Sequence, residues 1–139
     1  MSPVRPYYAE RSLSAAFYDT VAGADPHIGG DAAIYARLVP QGASILELGT
    51  GTGRLAFALA ERGFAVTGVD IAPAMLAQAS AKRSELDPQL AARVELKRGA
   101  MTALDLQRTF TLVVAPSFPL DHLPRGGAWR NTFAPTARH

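Results

Sequence analysis

Three glycines that alternate along the chain, Gly49, Gly51 and Gly53, are the residues best suited to holding a ligand. They follow a short apolar segment at 44–48 and precede a segment with helical spacing at 54–62. Glycine has no Cβ atom, so it permits positive φ and lets the backbone approach a ligand closely. The first turn of the following helix adds N–H groups without intrahelical partners. This strand, turn and helix predict a nucleotide-like ligand.

Two carboxylates flank this turn. Asp70 follows Gly49 by 21 positions and ends the next apolar segment, where a carboxylate can accept hydrogen bonds from both ribose hydroxyls. Glu47 lies two positions before Gly49, where its charge would repel a pyrophosphate and attract an ammonium group. The pair therefore favours an adenosine that carries an amino-acid tail.

A dinucleotide remains the alternative ligand. The pyrophosphate fingerprint G-x-G-x-x-G/A fails in the frame that starts at Gly49, because its last position is Arg54. It fits in the frame that starts at Gly51 and ends at Ala56. A fragment of a nicotinamide-dependent oxidoreductase is therefore a second interpretation.

Apolar spacing predicts the elements that position these residues. A helix over 12–22 precedes a second helix for which Asp31 is the expected N-cap and whose apolar face carries Ile34, Tyr35 and Leu38. Strands separated by helices predict an α/β protein with a parallel sheet, whose ligands gather beyond the carboxyl ends of the strands. The remaining expected elements are strands at 44–48, 64–69, 93–97 and 110–115, helices at 54–62 and from Pro73 onward, and a loop over 85–92.

Composition narrows the possible functions. The chain has 139 residues, enough for one domain, and 48% of them are hydrophobic, enough for a core. A formal net charge of +2 does not indicate a nucleic-acid partner. With no Cys and three scattered His we expect no metal site, and the absence of Cys agrees with a reducing compartment. No apolar segment suggests a membrane span or a signal peptide, so we expect a cytoplasmic protein.

The segment from Ile45 to Ala79 resembles the cofactor-binding half of class I S-adenosylmethionine-dependent methyltransferases. It carries their motif E/D-x-G-x-G-x-G followed by D-x-S-x-x-M-L, with an Ala in place of the Ser, and a weaker likeness extends over 12–123. The resemblance implies a Rossmann-like fold with sheet order 3-2-1-4, helices on both faces, and S-adenosyl-L-methionine as cofactor. It implies these cofactor-binding residues: Tyr18, Glu47, Gly49, Thr50, Gly51, Gly53, Asp70, Ile71, Met75, Ala100 and Met101.

The same resemblance assigns a role to each part of this set. Glu47 would face the methionine ammonium group, the glycine turn would pass under the cofactor, and Asp70 would hold the ribose. The adenine would lie between Ile71 and Met75, with the segment 100–101 along its edge, although the family usually has an acidic residue in place of Ala100. Tyr18 would help to close the site over the sulfonium end.

The resemblance also sets an expected domain organisation and activity. Residues 1–42 would form an arm and helices over the cofactor site, 43–123 the cofactor-binding half domain, and 124–139 an irregular tail. The family has seven strands, so we expect three to be missing and the edge strand at 110–115 to favour self-association. The implied activity is methyl transfer to a small-molecule acceptor, in an incomplete fragment; a non-catalytic module that binds cofactor or a partner chain is another alternative. No catalytic residue is assigned, and His122 is a candidate base or an ordinary loop histidine.

Overall fold

The computed structural model describes residues 30–100 and 103–116. The expected helix at 12–22, Tyr18, Met101, His122 and the tail at 124–139 lie outside these ranges. The described elements in chain order are α1 (Asp31–Ala36), β1 (Ser44–Leu48), α2 (Arg54–Glu61), β2 (Ala65–Asp70), α3 (Pro73–Glu85), α4 (Pro88–Ala91), β3 (Val94–Arg98) and β4 (Leu112–Val114).

The four described strands form one parallel sheet in the order β3-β2-β1-β4, which confirms the predicted order. Glu47 on β1 lies opposite Gly68 on β2, and Leu48 lies opposite Val69. Because the strands are parallel, the ends of β1 and β2 reach the same edge of the sheet. The glycine turn after β1 and Asp70 at the end of β2 therefore meet there.

One face of the sheet packs against α1 and α2. In α2 the buried residues Leu55, Ala56, Leu59 and Ala60 recur at intervals of three and four, which places them on one stripe of the helix. They pack with Ile45, Phe64, Val66, Val94 and Val114. This packing fixes the direction in which α2 leaves the glycine turn.

The other face carries a smaller cluster of Leu46, Leu48, Val69 and Leu104. The connection from β3 to β4 covers part of it with Leu104, and Arg108 of the same connection lies 4.8 Å from the ring centre of Phe110. Arg108 also donates to Glu95 on β3 at 2.6 Å and to Thr67 on β2. These contacts attach the connection between β3 and β4 to strands β2 and β3.

Two local predictions for α1 are wrong. Gly30, with φ 95°, is the N-cap, and Asp31 is the first helical residue. The Asp31 carboxylate accepts the N–H of Ala32 instead of capping a later turn. Of the predicted apolar face, Tyr35 packs against the core cluster beside the buried Ala32, whereas Ile34 and Leu38 are exposed. The predicted face is therefore right for Tyr35 and wrong for Ile34 and Leu38, because the short helix turns Ala32 and Tyr35 toward the core.

The predicted loop over 85–92 is also wrong in part, because it contains the one-turn helix α4. Asp87 accepts the N–H of Gln89 at 2.9 Å, and Pro88 occupies the first helical position. An Asp-Pro pair marks a helix start as well as a turn, since proline has no N–H to leave unpaired at that position. Arg83 holds this turn by donating from Nε to the carbonyl groups of Ala91 and Val94.

Within residues 30–100 and 103–116, no helix has both the length and the apolar character needed to cross a lipid bilayer.

Candidate functional site

The glycine turn between β1 and α2 has the backbone conformation that its sequence predicts. Gly49, Gly51 and Gly53 have φ values of 72°, 58° and 88°, in the left-handed region where residues with a Cβ are disfavoured. The N–H groups of Gly49 and Thr50 both donate to the carbonyl of Val69, at 2.8 and 3.0 Å. These two hydrogen bonds fix the turn to the end of β2.

Two glycines of the site also leave space for neighbouring side chains. A Cβ on Gly53 would lie 2.6 Å from the ring of Phe57. A Cβ on Gly68, in the middle of β2, would lie 2.6 Å from Oγ1 of Thr50 and 2.8 Å from its Cβ. Thr50 therefore sits directly on the backbone of β2, and the sequence analysis did not identify Gly68 as part of the site. A glycine in the middle of a strand is the signal for such a close approach.

Glu47 lies at the carboxyl end of β1 and is almost fully buried, with 2% of its surface exposed. Oγ1 of Thr50 donates to its Oε2 at 2.8 Å. Burial raises the pKa of Glu47 to about 8, and the negative charges of Asp31 and Asp70 add to this rise. The Thr50 hydrogen bond and the positive charge of Arg54 oppose it. Without a ligand, Glu47 is therefore mostly protonated at neutral pH.

Asp70 ends β2 and connects the turn to the next helix. Its Oδ2 accepts the N–H of Gly51 at 2.8 Å, and its Oδ1 accepts the N–H of Ala72 at 2.9 Å. Ala72 is the N-cap of α3 and has no side chain that can cap the helix, and its own N–H is the one that Asp70 accepts. A carboxylate oxygen has two acceptor positions, so both oxygens can still accept a hydroxyl hydrogen from a ligand. The side chain is half-buried.

An ion pair joins α1 to the start of α2, directly after the glycine turn. Nη1 and Nη2 of Arg54 donate to Oδ1 and Oδ2 of Asp31 at 2.9 and 2.6 Å. Burial raises the pKa of Asp31, but the hydrogen bonds and the positive charge of Arg54 outweigh this and hold it below its ordinary value. The sequence analysis missed this pair because it assigned Asp31 to capping; the signal is an arginine immediately after the last glycine.

The other predicted site residues that the structure describes differ in their exposure to solvent. Ile71, directly after Asp70, has 63% of its surface exposed, so its side chain is accessible to a ligand beside Asp70. Met75 is buried in α3, and Ala100 is half-buried after β3. Their contacts with an adenine ring stay predictions. Among the described residues, no three side chains of His, Cys, Asp or Glu converge in a way that could hold a metal ion.

The chemistry of these groups decides which ligand they fit. The N–H groups of Gly49, Thr50, Gly51 and Gly53 all donate within the chain. These four N–H groups are therefore taken before a phosphate group could use them, which leaves it only the first N–H groups of α2, and the carboxylates beside the turn are acceptors. Such a site fits a ligand that brings an ammonium group and hydroxyl groups, as an adenosyl amino acid does.

The parallel 3-2-1-4 sheet, with its glycine turn after the first strand and its acidic residue after the second, is a Rossmann-like methyltransferase fold. Residues 45–139 match the family described as methyltransferase domain. This match covers more than half of the 139 residues, and the chain belongs to that family.

Individual relatives agree with the family match. A Geobacillus sp. (strain WCH70) protein that is named a methyltransferase is 39% identical over 95 residues, 68% of this chain and 37% of that protein. The mitochondrial ubiquinone biosynthesis O-methyltransferase of Schizosaccharomyces pombe (strain 972 / ATCC 24843) is 38% identical over 72 residues, 52% of this chain and 26% of that protein. The chain thus spans about a third of the length of the curated relatives it matches.

A solved structure agrees as well. The glycopeptide N-methyltransferase MtfA, crystallised with S-adenosyl-L-methionine, superposes with a TM-score of 0.73 at 29% sequence identity. The superposition covers 78% of this chain and 48% of that one.

Proposed function

We propose that this chain binds S-adenosyl-L-methionine and belongs to an enzyme that transfers its methyl group to a small-molecule acceptor. One observation carries the proposal. The buried Glu47 lies beside a glycine turn whose N–H groups are already used, with Asp70 at the neighbouring strand end. The family match and the structure of MtfA with the same cofactor support it.

Each group has a defined part in this proposal. Glu47 accepts hydrogen bonds from the ammonium group of the methionine portion, and Thr50 keeps its carboxylate in place. Asp70 accepts the ribose hydroxyl hydrogens, while its bonds to two backbone N–H groups fix its orientation. Ile71 covers one side of the adenine. The cofactor, when bound, supplies an electrophilic methyl group, so the protein's contribution is alignment with the acceptor.

A nicotinamide dinucleotide fits the site less well. Its pyrophosphate needs N–H donors at the turn, and the N–H groups of Gly49, Thr50, Gly51 and Gly53 donate elsewhere. The buried Glu47 also offers no positive charge to a dianionic pyrophosphate and would repel it whenever Glu47 is ionised. These two points favour the adenosyl amino acid over the dinucleotide.

The acceptor atom differs among the relatives by name. One is named an O-methyltransferase and another an N-methyltransferase. The cofactor half that this chain shares with them is compatible with both. The cytoplasmic location, the domain boundaries at residues 42 and 123, and the site roles of Tyr18 and Met101 stay predictions.

Titration calorimetry with S-adenosylhomocysteine and with NAD tests the proposal. We expect the wild-type chain to bind S-adenosylhomocysteine and not NAD. The variants E47Q and D70N are each expected to weaken binding by about 1 to 3 kcal/mol, because each removes charged hydrogen bonds to the ligand. E95Q is the matched control, since Glu95 lies on β3 among Lys97 and Arg108, away from the turn. Binding of NAD, or equal affinity in E47Q and E95Q, would reject the assignment.

We also propose that the chain self-associates through β4. This strand is at the edge of the sheet among the described residues, and Leu112 and Val113 are only half-buried. An edge strand presents N–H and C=O groups that can pair with another chain. Analytical ultracentrifugation should show dimers or larger species, and a monomer over the accessible concentration range would contradict this part of the proposal.

A further inference from the structure

We propose that Gly68 is a positioning residue for the ammonium subsite: because it has no side chain, Thr50 can lie against β2 and direct its hydroxyl group at Glu47. This inference rests on the proposed function, since it concerns how that site receives the ammonium group of the cofactor. It gives a role in ligand recognition to a glycine that lies outside the glycine turn, in the middle of a strand.

Gly68 is the neighbour of Glu47 on the next strand. The register of β1 and β2 pairs the two residues, and paired residues of a parallel sheet direct their side chains to the same face. On the outer sides, Val114 of β4 is the partner of Glu47, and Leu96 of β3 is the partner of Gly68. In this row across the sheet, glycine therefore leaves an open side-chain position directly beside the carboxyl group.

Thr50 fills the position that Gly68 leaves open. An ideal Cβ on Gly68 would lie 2.6 Å from Oγ1, 2.8 Å from Cβ and 3.0 Å from Cγ2 of Thr50, so the whole threonine side chain packs around that point. The backbone of Thr50 is held on both sides, because its N–H donates to the carbonyl of Val69 and its carbonyl accepts the N–H of Gly53, each at 3.0 Å. Since χ1 of a β-branched residue is also restricted, the hydroxyl group has a defined place against β2.

From this place the hydroxyl group of Thr50 orients Glu47. It donates to Oε2 of Glu47 at 2.8 Å, and both residues are buried, with 5% of Thr50 and 2% of Glu47 exposed. A buried carboxyl group costs less to ionise when a donor faces it, and the Thr50 hydrogen bond lowers the pKa of Glu47 against the effect of burial. The hydrogen bond thus fixes the direction of the carboxyl group and favours the ionised form that binds an ammonium group.

Calorimetry with two ligands tests this role at about pH 7.5, where release of the Glu47 proton is part of binding. S-adenosylhomocysteine carries the ammonium group, and its desamino analogue lacks only that group. The ratio of the two affinities within one variant isolates the ammonium group, and a change in the folded fraction cancels. T50V keeps the branched shape without the hydroxyl, so the ratio should fall about tenfold, as for the loss of a hydrogen bond to a charged group. T50S keeps the hydroxyl, and its ratio should stay within about threefold of the wild type.

The substitution G68A tests the contact between Gly68 and Thr50 directly. The added Cβ must displace Thr50, so we expect the affinity ratio to fall at least about threefold although neither Thr50 nor Glu47 is changed. G99A is the matched control, because its Cβ would lie 3.6 Å from Cγ1 of Val69, an ordinary contact, and the ratio should stay within about twofold of the wild type. In T50A/G68A the ratio should equal that of T50A, since the hydroxyl group that Gly68 positions is already absent.

The outcomes separate this inference from the proposed function. A wild-type ratio in T50V or in G68A would overturn the inference, and so would a ratio in T50S as low as in T50V. Should G68A not fold, T50V and T50S still decide whether the positioned hydroxyl group matters. If E47Q lowers the ratio but T50V does not, only the role of Gly68 and Thr50 is wrong. If E47Q and the wild type have the same ratio, the ammonium subsite itself is wrong.

Discussion

The substitution E47Q should stabilise the fold as the pH rises, although it removes a group proposed to bind the cofactor. Glu47 has an ordinary pKa of 4.5 and a pKa of about 8 in the folded chain, because it is buried. Between these values the unfolded chain loses a proton that the folded chain keeps. The contribution of Glu47 to the free energy of unfolding is therefore largest below about pH 4.5. It falls as the pH rises toward 8.

The size of the effect follows from this interval. Each pH unit between the two pKa values corresponds to about 1.4 kcal/mol, so the upper bound is about 5 kcal/mol. We expect about 2 to 4 kcal/mol by about pH 8.5, since relaxation around a buried carboxylate relieves part of the cost. Glutamine has nearly the same shape, and its carbonyl can accept the Thr50 hydroxyl, so the variant keeps this hydrogen bond and loses the ability to titrate.

Urea denaturation followed by far-ultraviolet circular dichroism, at about pH 5 and about pH 8.5, measures this difference. The readout is the change of the difference between E47Q and wild type with pH, so a constant contribution of the amide group cancels. E95Q is the control with no expected change in this pH window: burial raises the pKa of Glu95, but hydrogen bonds and charges of Lys97 and Arg108 outweigh this and lower it, so Glu95 is ionised in both the folded and the unfolded chain. Parallel pH profiles for E47Q and the wild type would refute the argument that Glu47 is buried as a neutral acid.

Three further predictions concern the same edge of the sheet. G68A should destabilise the chain by about 1 to 3 kcal/mol in urea denaturation because its Cβ would displace Thr50, and adding T50A should remove only part of this cost, since the Cβ of residue 50 remains 2.8 Å away; a stability of G68A equal to the wild type would contradict the close approach. D70N should cost about 1 to 3 kcal/mol in the same assay, because the NH₂ group of Asn would face one of the two backbone N–H donors, that of Gly51 or that of Ala72; a stability equal to the wild type would contradict the observed bonds. Binding of S-adenosylhomocysteine at about pH 7 should release about one proton from Glu47, seen by calorimetry in buffers of different ionisation enthalpy, and E47Q should release none.

Most of the fold and the outline of the site follow from local patterns in the sequence. The alternation of apolar segments with helical stripes predicts β1, α2, β2 and α3, because the two strands are buried on both faces and each helix has a buried apolar stripe, which in α3 is limited to Met75, Leu76 and Ala79. The spacing of Glu47, the glycines and Asp70 placed two carboxylates at one sheet edge, and the register of β1 and β2 confirms that they meet there.

The errors come from contacts between parts of the chain that local patterns do not contain. Asp31 has the residue type of an N-cap, but its partner is Arg54, 23 positions away in sequence. The helix α4 depends on Asp87 and on Arg83, which binds two carbonyl groups after it. Gly68 belongs to the site only because Thr50 folds back onto β2. In each case the deciding interaction is known only once the strands and helices have been packed.

The three carboxylates at this edge of the sheet differ in the partners that the chain gives them. Of the three carboxylates, Asp31 has a bidentate cation and Asp70 has two backbone N–H donors. Glu47 has the Thr50 hydroxyl, and within the described residues it forms no salt bridge. A neutral or apolar residue would cost the fold less at that position, so stability does not account for the carboxylate, whereas the proposed binding of an ammonium group does. In the proposed function, the ammonium group of the ligand offsets the free energy that burial of the Glu47 carboxylate costs the fold. The pH dependence of stability and the pH dependence of ligand affinity therefore both report the protonation of Glu47.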